Sequence, residues 1–473
     1  MKRYLDTTSA LSVIVGLLLV AGCGSESAPT PCGGVDQRCC ATATDACNAG
    51  LGCSAGTCIE APFVAGAACS APTECESAIC GGDSLCTQSA CDDGVKNGLE
   101  SDVDCGGACA TRCDLGATCG DDADCGKGTC FGGTCGYEPG GLLGKGGAAD
   151  TVAWTQVAGA SDGLWAPADL AFSPEKQGQL WIVDRDRDAF LVVQDPGTDK
   201  SEKRLILDIS QHFLEEVLAI SFDGHGTFGT CGDSRNSYGG QAPPNDFMGP
   251  VQWPADLNHY PQGKSAHEQH WDMLHSTPRC MGMAAAAADQ YFCFNGQLGS
   301  IDWYDFHEPH VPGGDDHSDG EKRRYQSAEI TLGRVAGVPS NMERDPATGI
   351  LYIADSGNGR IVRFDPAGAQ KGKFVPSFQL DGIMHEMTGF SIDVLIGGQL
   401  TMPTGVALHQ GTLYVADRGT GLLHAFTLGG EPLRTLDTGI GKDRLGGLTA
   451  GPDDRLYLVD IGGKRVLRVE TTW

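Results

Sequence analysis

Histidines cluster in one part of this 473-residue chain, at spacings that suit metal binding. Seven of the 12 histidines lie in this part: His259, His267, His270, His275, His307, His310 and His317. Two histidines three residues apart can direct both imidazoles at one ion, and nearby carboxylates complete or orient such a site. The pattern predicts a zinc or copper site drawn from His267, His270, His275, His307, His310, His317, Asp315 and Asp316. The alternative is that these histidines hydrogen-bond the backbone of their own loops.

Net charge and missing motifs narrow the functions open to the chain. Acidic residues outnumber basic residues by 61 to 33, which gives a formal net charge of −28. A surface this negative repels a polyanion, so we expect no nucleic-acid partner. The sequence contains no His-Glu-x-x-His run, which is typical of zincins, and no Cys-x-x-Cys-His run, which is typical of covalently bound haem.

Cysteine density sets apart the N-terminal region, residues 32–136. It holds 18 of the 22 cysteines. The spacing of Cys69, Cys75, Cys80 and Cys86 is repeated, except in the last interval, by Cys119, Cys125, Cys130 and Cys135. Adjacent cysteines and wide spacings fit zinc poorly, so we expect a stalk of small modules held by about nine disulfides, with their connectivity open. A calcium site around residues 92–104 is the alternative to a merely solvated stalk.

The first 22 residues have the pattern of a secretory signal, with a positive start and an apolar run that leads to Cys23. Val20-Ala21-Gly22-Cys23 resembles the lipobox of bacterial lipoproteins. The resemblance implies that Cys23 is lipidated and that residues 23–31 form a tether. The glycine at position 24 implies sorting to the outer membrane of a Gram-negative bacterium. The alternative is an ordinary signal peptide cut near Ala28.

The C-terminal region, residues 151–473, carries a different repeat, behind a glycine-rich linker at 137–150. Each copy contains short alternating strands separated by Gly, Asp and Asn turns. Four copies are clear, at residues 166–192, 338–364, 402–426 and 447–469, and two more are inferred at 217–230 and 280–306. Such units cannot bury both faces alone, so they must stack against one another.

The run Leu-Tyr-Ile/Val-Ala-Asp, followed by Gly-Asn and Arg-Ile, resembles the NHL repeat. That resemblance implies an all-β fold, a six-bladed NHL-type β-propeller, with histidine-rich insertion loops at about 232–279 and 305–330. Because loops that enter and leave one blade can emerge together, we expect these two insertions to converge. The aspartates that end strands, such as Asp355 and Asp417, are expected to cap turns rather than to bind metal.

Among NHL-like propellers, the peptidyl-α-hydroxyglycine α-amidating lyases carry zinc on histidines after a blade-opening proline. The matching positions here are Ala168, Met281, Ser340 and Thr404, so a metal would instead lie in the insertion loops. Gluconolactonase-like propellers have a central carboxylate and asparagine set, for which this chain offers Asp169 and Asn341.

Three cysteines lie in the repeat region. In the blade register, Cys231 ends a second strand and Cys280 begins the first strand of the next blade. Cys293 occupies a position that is apolar in the other copies, where a buried thiol fits. We therefore predict a Cys231–Cys280 disulfide and a free Cys293.

Together these features predict an outer-membrane lipoprotein that is attached to the membrane by its lipid, on the periplasmic or the cell-surface side. Its propeller is predicted to bind a small-molecule, peptide or protein ligand. The alternative is a metal-dependent lyase or hydrolase with a His/Asp centre in the loops of the propeller face.

Overall fold

The computed structural model describes residues 35, 37, 51–54, 57–60, 68–70, 74–75, 80–81, 84–86, 91–92, 94–96, 100–144, 152–210, 212–235, 247–310, 312, 314–376 and 382–470. The chain divides into two units, Met1–Cys113 and Asp114–Trp473. The signal sequence, the lipobox with Cys23 and the tether at 23–31 lie outside the described residues. None of the helices among the described residues is long and apolar enough to cross a membrane.

Disulfides organise the described part of the first unit. The hairpin β1 (Leu51–Ser54) and β2 (Thr57–Glu60) is followed by the pairs Cys69–Cys80, Cys75–Cys86, Cys91–Cys109 and Cys105–Cys113. The repeated four-cysteine module falls in the second unit, where Cys119 pairs with Cys130 and Cys125 with Cys135. Both copies of the module therefore join their first cysteine to the third and their second to the fourth. These cysteines are disulfide-bonded, as the sequence predicts for this region.

The second unit continues with the hairpin β3 (Thr129–Phe131) and β4 (Thr134–Gly136) and with β5 (Ala153–Ala158). Its described residues then form the six blades of a β-propeller, each built on four antiparallel strands and the third extended by two more, so the predicted all-β, six-bladed architecture is confirmed. The first blade contains β6 (Pro167–Phe172), β7 (Gln179–Asp184), β8 (Ala189–Gln194) and β9 (Glu202–Leu207). The second contains β10 (Val217–Phe222), β11 (Thr227–Gly232), β12 (Val251–Pro254) and β13 (Asp272–Met273).

The third blade contains β14 (Cys280–Ala287), β15 (Gln290–Asn295), β16 (Ser300–Asp305) and β17 (Glu321–Tyr325). In the fourth, β18 (Met342–Arg344), β19 (Leu351–Asp355) and β20 (Arg360–Asp365) are followed by the hairpin β21 (Gln370–Val375) and β22 (Ile383–Thr388), and then by β23 (Ser391–Ile396). The fifth contains β24 (Pro403–His409), β25 (Thr412–Asp417), β26 (Leu422–Thr427) and β27 (Pro432–Asp437). The sixth contains β28 (Leu445–Ala450), β29 (Leu456–Asp460) and β30 (Arg465–Glu470).

Two pairings tie the blades together across the sequence. The early strand β5 pairs with β30 and supplies the outermost strand of the sixth blade, which closes the ring. The β21–β22 hairpin leaves the fourth blade, and β22 pairs in parallel with β17 of the third blade. The sheet of the third blade therefore has six strands.

The repeat explains why the second strand of each blade is so apolar. Every residue of β7, β19, β25 and β29 is buried, because neighbouring blades cover both faces of a blade. In the core between the first two blades, the ring centroids of Trp181 and Phe228 lie 4.9 Å apart. The repeated aspartates cap backbone turns: the carboxylate of Asp417 accepts the N–H groups of Thr401, Met402 and Gly419.

The histidine-rich insertions contain more regular structure than loops alone. The segment 232–279 includes β12, β13 and the short 3-10 helices Leu257–His259 and Ala266–Gln269, and the segment 305–330 includes β17. Other 3-10 helices are Asp122–Asp124, Ala160–Asp162 and Ser356–Asn358, and the described residues contain no α-helix. The insertions therefore complete two blades as well as forming long connections.

The first half of the glycine-rich segment 137–150 differs from the predicted linker. Residues Gly141–Leu143 form a 3-10 helix, and the side chains of Leu142 and Leu143 are each 1% exposed. They pack in the core of the fifth blade beside Tyr414, whose hydroxyl accepts a 3.2 Å hydrogen bond from the Leu142 N–H. Burial of two leucines fixes this segment in spite of its glycines.

Candidate functional site

The two histidine-rich segments meet beside the second and third blades. The segment between β12 and β13 carries His267 and His270, and the connection between β16 and β17 carries His310 and His317. The ring centroids of His270 and His310 lie 5.3 Å apart, and those of His310 and His317 lie 5.0 Å apart. His275, which follows β13, lies with its ring centroid 5.7 Å from that of His317. The predicted convergence of the two segments is therefore present in the structure.

A buried carboxylate stands at the centre of this cluster. Asp272 begins β13, and its side chain is 1% exposed. His317 Nδ1 lies 2.7 Å from Asp272 Oδ1, and His310 Nε2 lies 3.9 Å from the same oxygen. One ligand atom from each of the three residues can be chosen so that all lie within 4.8 Å of one another. Ligands of a tetrahedral zinc ion, each about 2.0–2.2 Å from the metal, lie about 3.4 Å apart, so His317 Nδ1 and Asp272 Oδ1 would have to separate slightly from their 2.7 Å contact to bind one ion together.

Local structure orients the remaining rings. Ser265 accepts the N–H of His267 at 3.2 Å and so begins the 3-10 helix that presents this histidine. At the end of that helix, His270 Nδ1 contacts the His267 carbonyl oxygen at 2.9 Å, which fixes the orientation of the His270 ring. The ring of Phe213 stacks on His270 at 3.9 Å and on His267 at 4.6 Å.

Burial keeps the imidazole of His270 uncharged. The pKa of His270 is lowered to about 4; desolvation is the largest cause, and the charge of His310 also contributes. A neutral imidazole is the form that binds a metal or accepts a proton. His270 is therefore in its reactive form at neutral pH.

A second group lies beside the first blade. His267 Nδ1 is 3.7 Å from Asp208 Oδ1, and the ring of His212 is 5.7 Å from that of His267. The carboxylate of Asp208 already accepts the N–H groups of Phe213 and Leu214, at 2.9 and 3.2 Å. The carboxylate of Asp208 thus mainly fixes the backbone of the segment that carries His212 and Phe213.

Three of the predicted ligands are placed elsewhere. His307 directs its ring toward Asp305, at 3.9 Å, and its side chain is 47% exposed. Asp315 and Asp316 are exposed, and the carboxylate of Asp316 accepts the Ser318 N–H at 3.1 Å. The carboxylate at the cluster is instead Asp272, which the spacing of the histidines did not identify. The sequence feature that could have identified Asp272 as a candidate ligand is its position two residues after His270.

The cysteines of the propeller lie near this region. Cys231 of β11 and Cys280 of β14 form the predicted disulfide, with their Cα atoms 5.6 Å apart. Cys293 is free and buried, and burial raises the pKa of its thiol well above the usual value. The bond joins the second and third blades, which are the blades that carry the histidine segments.

No protein-family model matches the chain, and no curated protein matches it. Similar solved structures include an auxiliary nutrient binding protein from Bacteroides thetaiotaomicron, at 10% identity and a TM-score of 0.44 over 72% of this chain and 78% of that one. Another, from Bacteroides ovatus, has 11% identity and a TM-score of 0.43 over 72% and 78%. A putative glucose dehydrogenase from Thermus thermophilus has 15% identity and a TM-score of 0.41 over 67% and 100%. At this level of similarity, the ligands and activities of these proteins are not transferred to this chain.

Proposed function

We propose that this chain is a cell-envelope lipoprotein whose propeller is a binding module with a metal site. The observation that carries the metal site is the contact of Asp272 with His310 and His317, which brings three donors from two separate segments to one point. In this proposal the ion stabilises the meeting of the two segments. The surface they form then presents the ligand or partner site.

The donor set selects the class of metal. Two imidazoles and one carboxylate suit zinc or copper(II), whereas calcium and magnesium require mainly oxygen ligands. Three protein ligands leave one position of a tetrahedral ion for water, for His270 or for a donor atom of the bound ligand. The preference for zinc or copper therefore follows from the side chains, and the open position provides a route for a ligand to reach the ion.

Metal content tests the proposal directly. Purified protein is stripped with a chelator, reloaded with Zn²⁺ or Cu²⁺, dialysed and measured by elemental analysis. We expect one ion in the parent protein and in His307→Ala, the matched control, because His307 stands apart from the cluster. We expect no bound ion in the His310→Ala, His317→Ala double variant, with circular dichroism confirming its fold. Full metal content in the double variant would overturn the site.

A metal-dependent hydrolase or lyase is the second candidate, and the position of His270 favours it. This imidazole lies beside His310 and could hydrogen-bond a water on the ion. Zinc-loaded protein should then hydrolyse p-nitrophenyl acetate faster than stripped protein, and His270→Ala should lose that gain while keeping its zinc. Equal rates of hydrolysis in the loaded and the stripped protein would contradict the enzyme and favour a binding module without catalytic activity.

The membrane anchor rests on the lipobox. Cys23 provides the thiol that lipidation requires, and several acyl chains together hold a protein at a bilayer where one alone binds weakly. We expect Cys23→Ser to move the protein from the membrane fraction to the soluble fraction, without the mass of the lipid. A variant that stays in the membrane fraction would contradict the proposed anchor.

A further inference from the structure

A cavity of about 270 Å³ lies on the axis of the propeller, well separated in sequence from the histidine cluster. Residues from the innermost strands of five blades line it, since β6, β10, β14, β18 and β28 all contribute. Central cavities of this kind are where ligands commonly bind. Neither the metal site nor the disulfides use the groups that face it.

One wall of the cavity is a buried carboxyl–amide pair. Asn341 Nδ2 donates to Asp169 Oδ1 at 2.5 Å, and the N–H groups of Leu170 and Ile220 also donate to the Asp169 carboxylate. Asn341 is 6% exposed, and its Oδ1 has no hydrogen-bond partner among the described residues. A buried acceptor without a partner is costly, so a donor supplied by a ligand would stabilise it.

Glu343, on β18, supplies a second carboxyl group to the same cavity. Among the described residues, no hydrogen bond or ion pair reaches it, and the charge that acts on it most is that of Asp169. Burial raises the pKa of Glu343 to about 8 and that of Asp169 to about 7. The empty cavity therefore holds protonated carboxyl groups at slightly acidic pH.

Hydroxyl groups complete the polar lining, and among the described residues no lysine or arginine contributes to it. Ser221 and Thr449 both face the cavity, on β10 and β28. The site thus offers carboxyl, amide and hydroxyl oxygens but no positive charge. An anionic ligand would find no positive charge there, and the net charge of −28 concentrates cations near the protein.

We propose that the axial cavity binds a small hydroxylated primary amine, with its ammonium group at Glu343 and its hydroxyl groups donating to Asn341 Oδ1 and to the hydroxyl oxygens. The volume suits a molecule the size of a single sugar ring. A divalent cation is disfavoured because calcium takes 6–8 oxygen ligands and the Asp169 oxygens are already engaged by N–H donors.

Calorimetry with glucosamine and glucose as probes tests this proposal, on full-length protein stripped of metal at pH 6.5. The two sugars differ at one position, where glucosamine carries an ammonium group. We expect glucosamine to bind at least tenfold more tightly than glucose. Since the ammonium ion must ionise Glu343, binding should release close to one proton, measured as a dependence of the heat on the ionisation enthalpy of the buffer.

Variants separate this site from the metal site. Glu343→Gln should weaken glucosamine binding at least tenfold and abolish proton release, while Glu431→Gln, an exposed matched control, should bind as the parent does. The His310→Ala, His317→Ala variant should also bind glucosamine normally. Equal affinities for the two sugars, no binding of glucosamine at millimolar concentration, or calcium binding that Glu343→Gln removes would each overturn the proposal.

Discussion

His317 Nδ1 lies 2.7 Å from Asp272 Oδ1, although 45 residues separate the two along the chain. One residue comes from the outermost strand of the second blade and the other from a connection in the third. A charge-assisted contact of this kind fixes the orientation of the ring. The two blades are thereby joined at the candidate metal site.

The charge of Asp272 should matter more than that of the predicted acidic ligands. Asp272→Asn keeps the shape of the side chain but removes the negative charge, so we expect zinc affinity to fall at least tenfold in competition with a chromogenic chelator. Asp315→Asn is the matched control, because this exposed carboxylate lies outside the cluster, and its affinity should equal that of the parent. Equal losses in both variants would indicate a general electrostatic effect instead.

Stability should decline as pH rises because of the axial carboxyl groups. Burial raises the pKa of Asp169 from 3.8 to about 7 and that of Glu343 from 4.5 to about 8. At a pH between its unfolded and its folded pKa, each carboxyl group holds a proton in the folded state that it has lost in the unfolded state. The free energy of unfolding therefore falls as the pH rises from about 4 to about 8. Denaturant titrations at pH 5.5 and 8.5 should show a smaller decline in Glu343→Gln than in the parent. An unchanged decline in that variant would contradict the raised pKa of Glu343.

The Cys231–Cys280 disulfide should contribute substantially to stability. It closes a loop with a sequence separation of 49. A loop of that length corresponds to about 4 kcal/mol of lost chain entropy in the unfolded state. We expect the Cys231→Ala, Cys280→Ala double variant to lose about 2–4 kcal/mol in urea titrations. Cys293→Ala, which removes a buried thiol but no bond, is the control and should lose less; the reverse order would contradict this account.

The buried leucines at 142 and 143 should hold the preceding segment on the fifth blade. Leu142→Ala removes apolar contacts at a site that is 1% exposed, a change that costs about 2–5 kcal/mol in protein cores. We expect the free energy of unfolding to fall by about that amount in urea titrations, while the circular dichroism of the folded propeller stays unchanged. Val394→Ala, at a position that is 40% exposed, is the control and should lose much less.

The blades of the propeller and its Cys231–Cys280 disulfide could be predicted from the sequence alone. Strands such as β19 and β25 carry uninterrupted apolar runs that end in aspartate, and their register places Cys231 beside Cys280. The convergence of the histidine segments also followed from this register. Whether the repeats are of the NHL type stays a prediction.

Other features depend on contacts that no local pattern encodes. Asp272 joins the histidines because β13 pairs with β12 at the blade edge, a pairing of only two residues. The β21–β22 hairpin crosses to the third blade, and the glycine-rich segment at 137–144 folds because a groove on the fifth blade accepts its leucines. Glu343 was missed because its burial depends on five blades at once.

Ring closure by β5 and β30 has a consequence for the order in which the protein can be completed. The chain is made from its N-terminus, at about 5–20 residues per second, so β5 exists for tens of seconds before its partner strand. Throughout that interval β5 has no partner in its own sheet, and such an edge is prone to pair with other chains. The edge of β5 therefore stays open until the last blade is in place, and a chain truncated before residue 465 would leave β5 without its partner strand.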